Sequence, residues 1–313
     1  MMISRWSFCG SIAAAAVAGG VPSVGAELAA IRVGTLGTDA TLEAYYGTQA
    51  GILQRAGLSV ETSKISGGGG AMAAAILGNT LDSGFVSLLT VAQARLRGVP
   101  LFALAPAVIA ATARPTTVMC QAKDATFRTG AELNGKRIAV STLNTETSVA
   151  AQAWIEKTGG DPNSVQFVEM PFPVMAEALA RQRVSAAMIA EPFVSAGRDE
   201  IKLLADAFAA IAPNVMLGVF AATSSFVSQS RDSARRFVTG MAATARWANA
   251  HAAETAAMLV KYTGLDAATV ARVSRPTFAE TLDPVYITPL LEAAQRYGVL
   301  KTPIKAADIV ATV

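Results

Sequence analysis

The sequence alternates between short apolar runs and longer stretches in which apolar residues recur every three or four positions. The short runs predict buried strands, and the longer stretches predict amphipathic helices. Over the first third of the chain, the pattern predicts strands at 31–36, 58–65, 83–86 and 101–109, with helices at 41–55, 70–77 and 90–97. This repeated β-α-β order is typical of a mostly parallel sheet flanked by helices.

The same order returns in the middle of the chain. Residues 72–88 and 175–191 align without a gap, with Met, Ala and Ala identical at the first, second and fourth positions and apolar positions in step afterwards. The surrounding pattern predicts strands at 137–141, 165–170 and 186–190 and helices at 147–157 and 174–182. Two related α/β units predict two lobes, and the junction between lobes at the carboxyl ends of strands is a favoured ligand site.

Two extended apolar segments, near 116–122 and 216–223, each follow a proline and are predicted to be hinges between the lobes. Lobe one would then comprise 27–116 plus 217–313, and lobe two would comprise 117–216. The remaining C-terminal pattern predicts helices at 231–250, 253–263, 266–274 and 284–297.

The first 26 residues are predicted to be a secretory signal peptide. Arg5 precedes a short run of Ala, Val and Gly, and small residues end at Ala26, where cleavage is expected. The apolar run is shorter than the roughly 20 residues that span a bilayer, which argues against an anchor. The protein is therefore expected to be exported to the periplasm.

Charge and cysteine content exclude some classes of function. Without the leader, 25 basic and 23 acidic residues remain, a net charge of +2, and no basic block is present. A nucleic-acid partner is not expected. Cys120 is the sole cysteine left, so it is predicted to be a small buried apolar residue.

Five stretches carry a resemblance to a known family. They are SGGGGAMAAAILGNTLDSGFVS, LRGVPLFALAP, ELNGKRIAVSTLNTETSVAAQAWIEKTGGDP, AMIAEPF and RYGVLKTPIKAADIV. In this order they resemble the periplasmic solute-binding proteins of ABC importers, in the group that includes nitrate, aliphatic-sulfonate, taurine and thiamine-precursor binders. The resemblance implies a type II periplasmic-binding-protein fold that acts as a monomer, captures a small solute and delivers it to a membrane permease. The usual Gly and Asp before AMIAEPF are replaced by Gln182 or Arg183 and by Ser185.

Ligand contacts are predicted at strand ends and helix starts. Ser66, Gly67 and Gly68 precede a helix, where missing side chains let backbone N–H groups approach an oxyanion or a carbonyl oxygen. The alternative is a flexible connector. Thr38 and Asp39 follow the first strand and serve either the ligand or a helix cap.

Further contacts are predicted on both sides of the cleft. Ser87 follows a strand in lobe one, and Glu191 ends a strand in lobe two. Glu191 is expected to accept a hydrogen bond from the ligand, or else to pair with Arg198, because an unpaired buried carboxylate is costly. Asn144 and Thr145 open a helix and are ligand contacts or caps.

An aromatic contact is also predicted. Of the adjacent pair Tyr45 and Tyr46, one is expected to cover the ligand while the other packs inward, so Tyr45 completes the predicted site. Small sulfonates, zwitterions and heterocycles are the expected ligands.

A secreted or exported enzyme and a ligand-sensing receptor subunit are the alternative functions. The fold that the resemblance implies also hosts biosynthetic enzymes for thiamine pyrimidine and menaquinone precursors, but His251 is the sole histidine and lies within a helical stretch. Neither a catalytic triad nor metal-ligand spacing is evident, so no catalytic residue, metal or cofactor is expected. A ligand-sensing receptor subunit remains the third possibility.

Overall fold

The computed structural model describes residues 28–313, and the predicted signal peptide lies outside the described residues. The strands are, in chain order, β1 (Ala29–Thr35), β2 (Leu58–Lys64), β3 (Ser83–Ser87), β4 (Leu101–Pro106), β5 (Val108–Ala111), β6 (Thr117–Ala122), β7 (Arg137–Val140), β8 (Gln166–Glu169), β9 (Ala186–Ala190), β10 (Ile201–Ala205), β11 (Asn214–Met216), β12 (Gly218–Thr223) and β13 (Thr277–Phe278).

Helices fill most of the connections between these strands. They are α1 (Glu43–Gln49), α2 (Ile52–Arg55), α3 (Gly68–Leu77), α4 (Leu88–Leu96), α5 (Glu146–Lys157), α6 (Phe172–Ala180), α7 (Phe193–Ala196), α8 (Ser224–Gln229), α9 (Arg231–Ala250), α10 (Ala252–Thr263), α11 (Ala267–Val270), α12 (Pro284–Arg296) and α13 (Ala306–Ile309). Short 3-10 turns lie at Asp39–Thr41, Ala131–Leu133 and Ala207–Ala210. Within residues 28–313, none of the helices combines the length and the apolar content that a bilayer crossing requires.

Two five-stranded sheets carry the fold, and they have equivalent topologies. The first has the order β2-β1-β3-β12-β4, and the second, taken from its other edge, has the order β8-β7-β9-β6-β10. In each sheet the first three strands are parallel, and the fourth runs antiparallel to its neighbours. The predicted duplication into two α/β units is confirmed.

The aligned segments 72–88 and 175–191 each form the end of a helix followed by a strand, as predicted. Their matched apolar positions are all buried: Leu81, Phe85, Val86, Val184, Met188 and Ile189. In lobe one, the sulfur of Met72 would lie 2.5 Å from a Cβ on Gly84, so the glycine lets α3 pack closely on the sheet. This packing fixes the start of α3 beside the carboxyl ends of the strands.

A third, smaller sheet, β11-β5-β13, lies where the chain passes between the other two sheets. The predicted hinge segments are largely strands of the main sheets, because β6 belongs to the second sheet and β12 to the first. The passages between sheets run through β5 and β11, which pair antiparallel. The lobe boundaries and the hinge motion stay predictions.

Several predicted elements are wrong in extent. The helix at 41–55 is divided into α1 and α2, because Gly51 has φ of 68° and a left-handed residue interrupts the helix. The strand at 101–109 is divided into β4 and β5, which join different sheets. Only Ala267–Val270 of the helix at 266–274 is helical, and β13 follows it.

Cys120 lies in β6 with no exposed surface, which confirms the prediction of a buried residue. Burial, reinforced by the charge of Glu191, raises the pKa of its thiol to about 12. The thiol is therefore protonated at neutral pH and packs as a small apolar side chain.

Candidate functional site

Polar groups from the two lobes meet directly where β3 ends and α5 begins. Ser87 ends β3 in lobe one, and its hydroxyl donates a hydrogen bond to Oε2 of Glu146, the first residue of α5 in lobe two. Glu146 is partly buried. Burial raises the pKa of this carboxyl, and the hydrogen bond from Ser87 opposes the rise. The pair places an acceptor of lobe two against a donor of lobe one.

A second contact between the lobes lies next to the first. Gln93 Nε2 of α4 donates to the backbone carbonyl of Asn144 at 2.9 Å. Asn144 adopts φ of 58°, a left-handed conformation that asparagine tolerates better than most residues. The hydroxyl of Thr145, the N-cap residue of α5, donates to the carbonyl of Thr142 at 2.9 Å. The Thr145 side chain accepts no capping hydrogen bond, so the predicted cap is not formed, and a ligand contact by Thr145 stays a prediction.

The glycine run lies exposed at the start of α3. Gly67 and Gly68 adopt φ of 100° and 72°, and Ser66 is exposed beside them. A Cβ on Gly69 would approach the Thr90 hydroxyl of α4 to 3.8 Å, so the starts of α3 and α4 are neighbours. Since Ser87 immediately precedes α4, the run and the contacts between the lobes belong to the same region.

Asp39 begins the 3-10 turn that follows β1, and it is only 2% exposed. Its Oδ1 accepts a hydrogen bond from the Tyr46 hydroxyl at 2.5 Å, and its Oδ2 lies 2.7 Å from Nη1 of Arg275. The two groups are close enough to form an ion pair, but the angles between them are not those of a hydrogen bond. Among residues 28–313, Oδ2 and the Nε and Nη1 atoms of Arg275 therefore have no hydrogen-bond partner. Thr38 is engaged locally, since its backbone N–H donates to the Thr41 hydroxyl at 3.2 Å.

The environment of Asp39 disfavours its charge. Burial raises its pKa to about 6, although Arg275 and Tyr46 both lower it, and the nearby charge of Glu191 adds a small rise. Desolvation therefore outweighs the ion pair. Ser274 approaches Glu191 and the adjacent Arg275 contacts Asp39, so Asp39 of lobe one and the end of β9 in lobe two lie near one another.

Glu191 has protein donors in place of Arg198, the partner considered as the alternative to a ligand contact. Its Oε2 accepts from the backbone N–H of Ser195 at 3.0 Å, and its Oε1 accepts from the Ser195 hydroxyl at 2.8 Å. The backbone N–H of Ser274 approaches Oε1 at 3.4 Å from the C-terminal part of lobe one. Arg198 instead lies 3.9 Å from Asp199, so that predicted pair is wrong.

The two adjacent tyrosines differ in burial, as predicted. Tyr46 is fully buried and packs edge-on to Phe278, which confirms that one ring packs inward. Tyr45 is partly buried, and its ring meets that of Tyr262 edge-on with centroids 4.8 Å apart. A ligand contact by Tyr45 stays a prediction.

Three residues of the candidate site were not predicted from the sequence: Gln93, Glu146 and Arg275. Glu146 directly follows the predicted residues Asn144 and Thr145, so its position was a usable signal. Arg275 precedes Pro276, and the residue before a proline avoids helix, which indicates a loop. Gln93 carried no such signal.

Surface grooves elsewhere are lined by other residues. One of about 360 Å³ lies at Phe102, Ser224 and Arg231 on lobe one, and another of about 510 Å³ lies along α6 and α7. We place the candidate site at the contact between the lobes, because polar side chains from both lobes converge there.

Comparison of the sequence with models of known protein families shows which family this chain belongs to. The family model described as NMT1/THI5 like matches residues 40–255, more than half of the chain. The chain belongs to the NMT1/THI5-like family. The matched range contains eight of the ten predicted site residues, from Tyr45 through Glu191, and also Gln93 and Glu146. Thr38 and Asp39 precede it, and Arg275 follows it. No curated protein matches the sequence.

 

Solved structures of similar fold come from several organisms. A ligand-binding component of an ABC-type import system from Staphylococcus aureus, with zinc bound, has 14% identity and a TM-score of 0.78, covering 90% of this chain and 96% of that chain. The alkanesulfonate-binding protein SsuA from Xanthomonas axonopodis pv. citri, bound to MOPS, has 18% identity and a TM-score of 0.71, covering 91% and 99%. The periplasmic nitrate-binding protein NrtA from Synechocystis PCC 6803 has 12% identity and a TM-score of 0.67, covering 78% and 69%. The expected two-lobed periplasmic-binding-protein fold is confirmed.

Proposed function

We propose that this protein captures a small polar solute between its two lobes and delivers it to an ABC permease. The observation that carries the proposal is the direct contact of Ser87 with Glu146, at the carboxyl end of β3 and the start of α5. Strand ends and helix starts from both lobes supply polar groups there, as a site that closes around a solute requires. Membership of the NMT1/THI5-like family and the fold shared with import proteins support the same function.

The finer parts of the proposal concern location and ligand. We infer export by the leader, cleavage near Ala26, and action as a monomer in the periplasm. Sulfonates, zwitterions and heterocycles are the solute classes that fit both an exposed glycine-rich helix start and carboxylate acceptors. His251, which a catalytic alternative would need, stacks on Trp247 and shares a hydrogen bond with its carbonyl at 2.7 Å.

Lobe closure is the first prediction. A solute held by both lobes stabilises the closed form, so saturation should reduce the radius of gyration measured by small-angle X-ray scattering. The solute is first found by thermal shift, since a ligand at about 100 times its Kd stabilises a protein by about 2.7 kcal/mol. Identical scattering with and without a solute that raises the melting temperature would contradict closure, and the lobes would then be fixed.

A further inference from the structure

The charges at the contact between the lobes are mainly negative. Asp39 and Glu191 are buried, Glu146 is partly buried, and Arg275 is the cation already placed against Asp39. Lys64 lies near Gly37, but it is exposed to solvent. Among residues 28–313, no Lys or Arg forms an ion pair with Glu146 or Glu191. An anion without N–H groups would meet three carboxylates and one partly buried cation, Arg275, whose charge already faces Asp39.

Of the two glutamates at the contact between the lobes, Glu146 has more acceptor capacity left. Glu191 accepts from Ser195 and approaches Ser274, whereas the side chain of Glu146 accepts from the Ser87 hydroxyl alone among the described residues. A carboxylate offers about four lone-pair positions, so most of those on Glu146 are unused. The Ser87 hydroxyl can rotate to another acceptor when a solute enters.

We propose that the cleft selects solutes carrying an amine or amino-heterocycle N–H donor, and that Glu146 accepts this donor after the solute displaces the Ser87 hydroxyl. This inference rests on the proposed function and names its ligand class. Glu146 is then a specificity-determining residue, because its charge favours an ammonium or amino group and disfavours a bare oxyanion. The structural alternative is that Glu146 acts only in the first turn of α5, where a carboxylate is favoured by the helix dipole.

The experiment uses pairs of probes that differ in one amino group. Taurine is compared with ethanesulfonate, β-alanine with propionate, and 4-aminopyrimidine with pyrimidine, while nitrate and sulfate serve as donor-free anions. Thermal shift and titration calorimetry are measured on the wild type and on Glu146→Gln. We expect an amino probe to bind more tightly than its partner, and Glu146→Gln to weaken that binding by about tenfold or more.

Matched variants separate the specific role from general effects. Glu292→Gln removes the same charge from an exposed position of α12 and should leave affinity unchanged. Ser87→Ala removes the competing donor and should not weaken amino-probe binding as Glu146→Gln does. Circular dichroism of each variant confirms folding.

The outcomes distinguish this proposal from the proposed function. Equal affinity for donor-free and amino probes, or unchanged amino-probe affinity in folded Glu146→Gln, would overturn the role of Glu146 while leaving solute binding intact. If no probe binds the wild type, the proposed function and this inference both fail for these solute classes.

Discussion

Arg275→Met is expected to lower the free energy of unfolding by about 3 kcal/mol near pH 8, because it leaves the Asp39 carboxylate buried without its cation. Asp39 is 2% exposed, and its Oδ2 lies 2.7 Å from Nη1 of Arg275. Methionine retains an apolar stem, so the main loss is the charge. Urea unfolding followed by circular dichroism measures the difference.

The pH dependence of this variant identifies the cause. The pKa of Asp39 is raised to about 6 in the folded protein, so its contribution to stability is greatest below its ordinary pKa and is lost as pH rises through about 6. Near pH 5 Asp39 is mainly protonated, and the loss in Arg275→Met should therefore shrink. The double variant Asp39→Asn with Arg275→Met should recover much of the stability near pH 8. An equal loss at both pH values, with no recovery, would assign the effect to packing of the arginine stem.

Glu43→Met is expected to raise the free energy of unfolding by about 1 to 3 kcal/mol near pH 8, because Glu43 is a buried carboxyl with no compensating partner. Glu43 begins α1 with no exposed surface, and neither carboxyl oxygen has a hydrogen-bond partner among the described residues. Methionine is of similar length and removes the polar group. Urea unfolding of both proteins measures the gain.

Burial raises the pKa of Glu43 well above its ordinary value. A raised pKa contributes stability that is present below the unfolded pKa and is lost as pH rises toward the folded value, by about 1.4 kcal/mol per pH unit. The advantage of Glu43→Met should therefore grow as pH increases from about 4.5. Glu292→Met, at an exposed position, should lack this pH dependence. A Glu43→Met protein that is less stable at every pH would show that the carboxyl has a structural partner.

The sequence predicted the repeated unit because the period of apolar residues follows local geometry. Leu81, Phe85 and Val86 are buried in one copy, and their counterparts occupy equivalent places in the other. Local signals were weaker where one residue changed the path of the chain. Gly51 interrupts the first helix through a left-handed backbone, and periodicity alone did not reveal this conformation.

Part of the site was also accessible from the sequence. Ser87, Asn144 and Glu191 were placed at strand ends and helix starts, and the structure has polar contacts at each of them between the lobes or toward the C-terminal segment. The predicted partner of Glu191 was wrong because sequence proximity favoured Arg198, whereas folding brought Ser274 to the carboxylate.

By itself, the sequence determined the alternation of strands and helices, the duplication and the positions where polar groups leave the strands. Only the tertiary structure decided which of these groups meet: Asp39 with Arg275, and Ser87 with Glu146. Periodicity depends on neighbours within a few residues, so it specifies which face of an element is buried. The pairing of charged groups depends on how sheets and helices distant along the chain pack together, and burial then sets their pKa values.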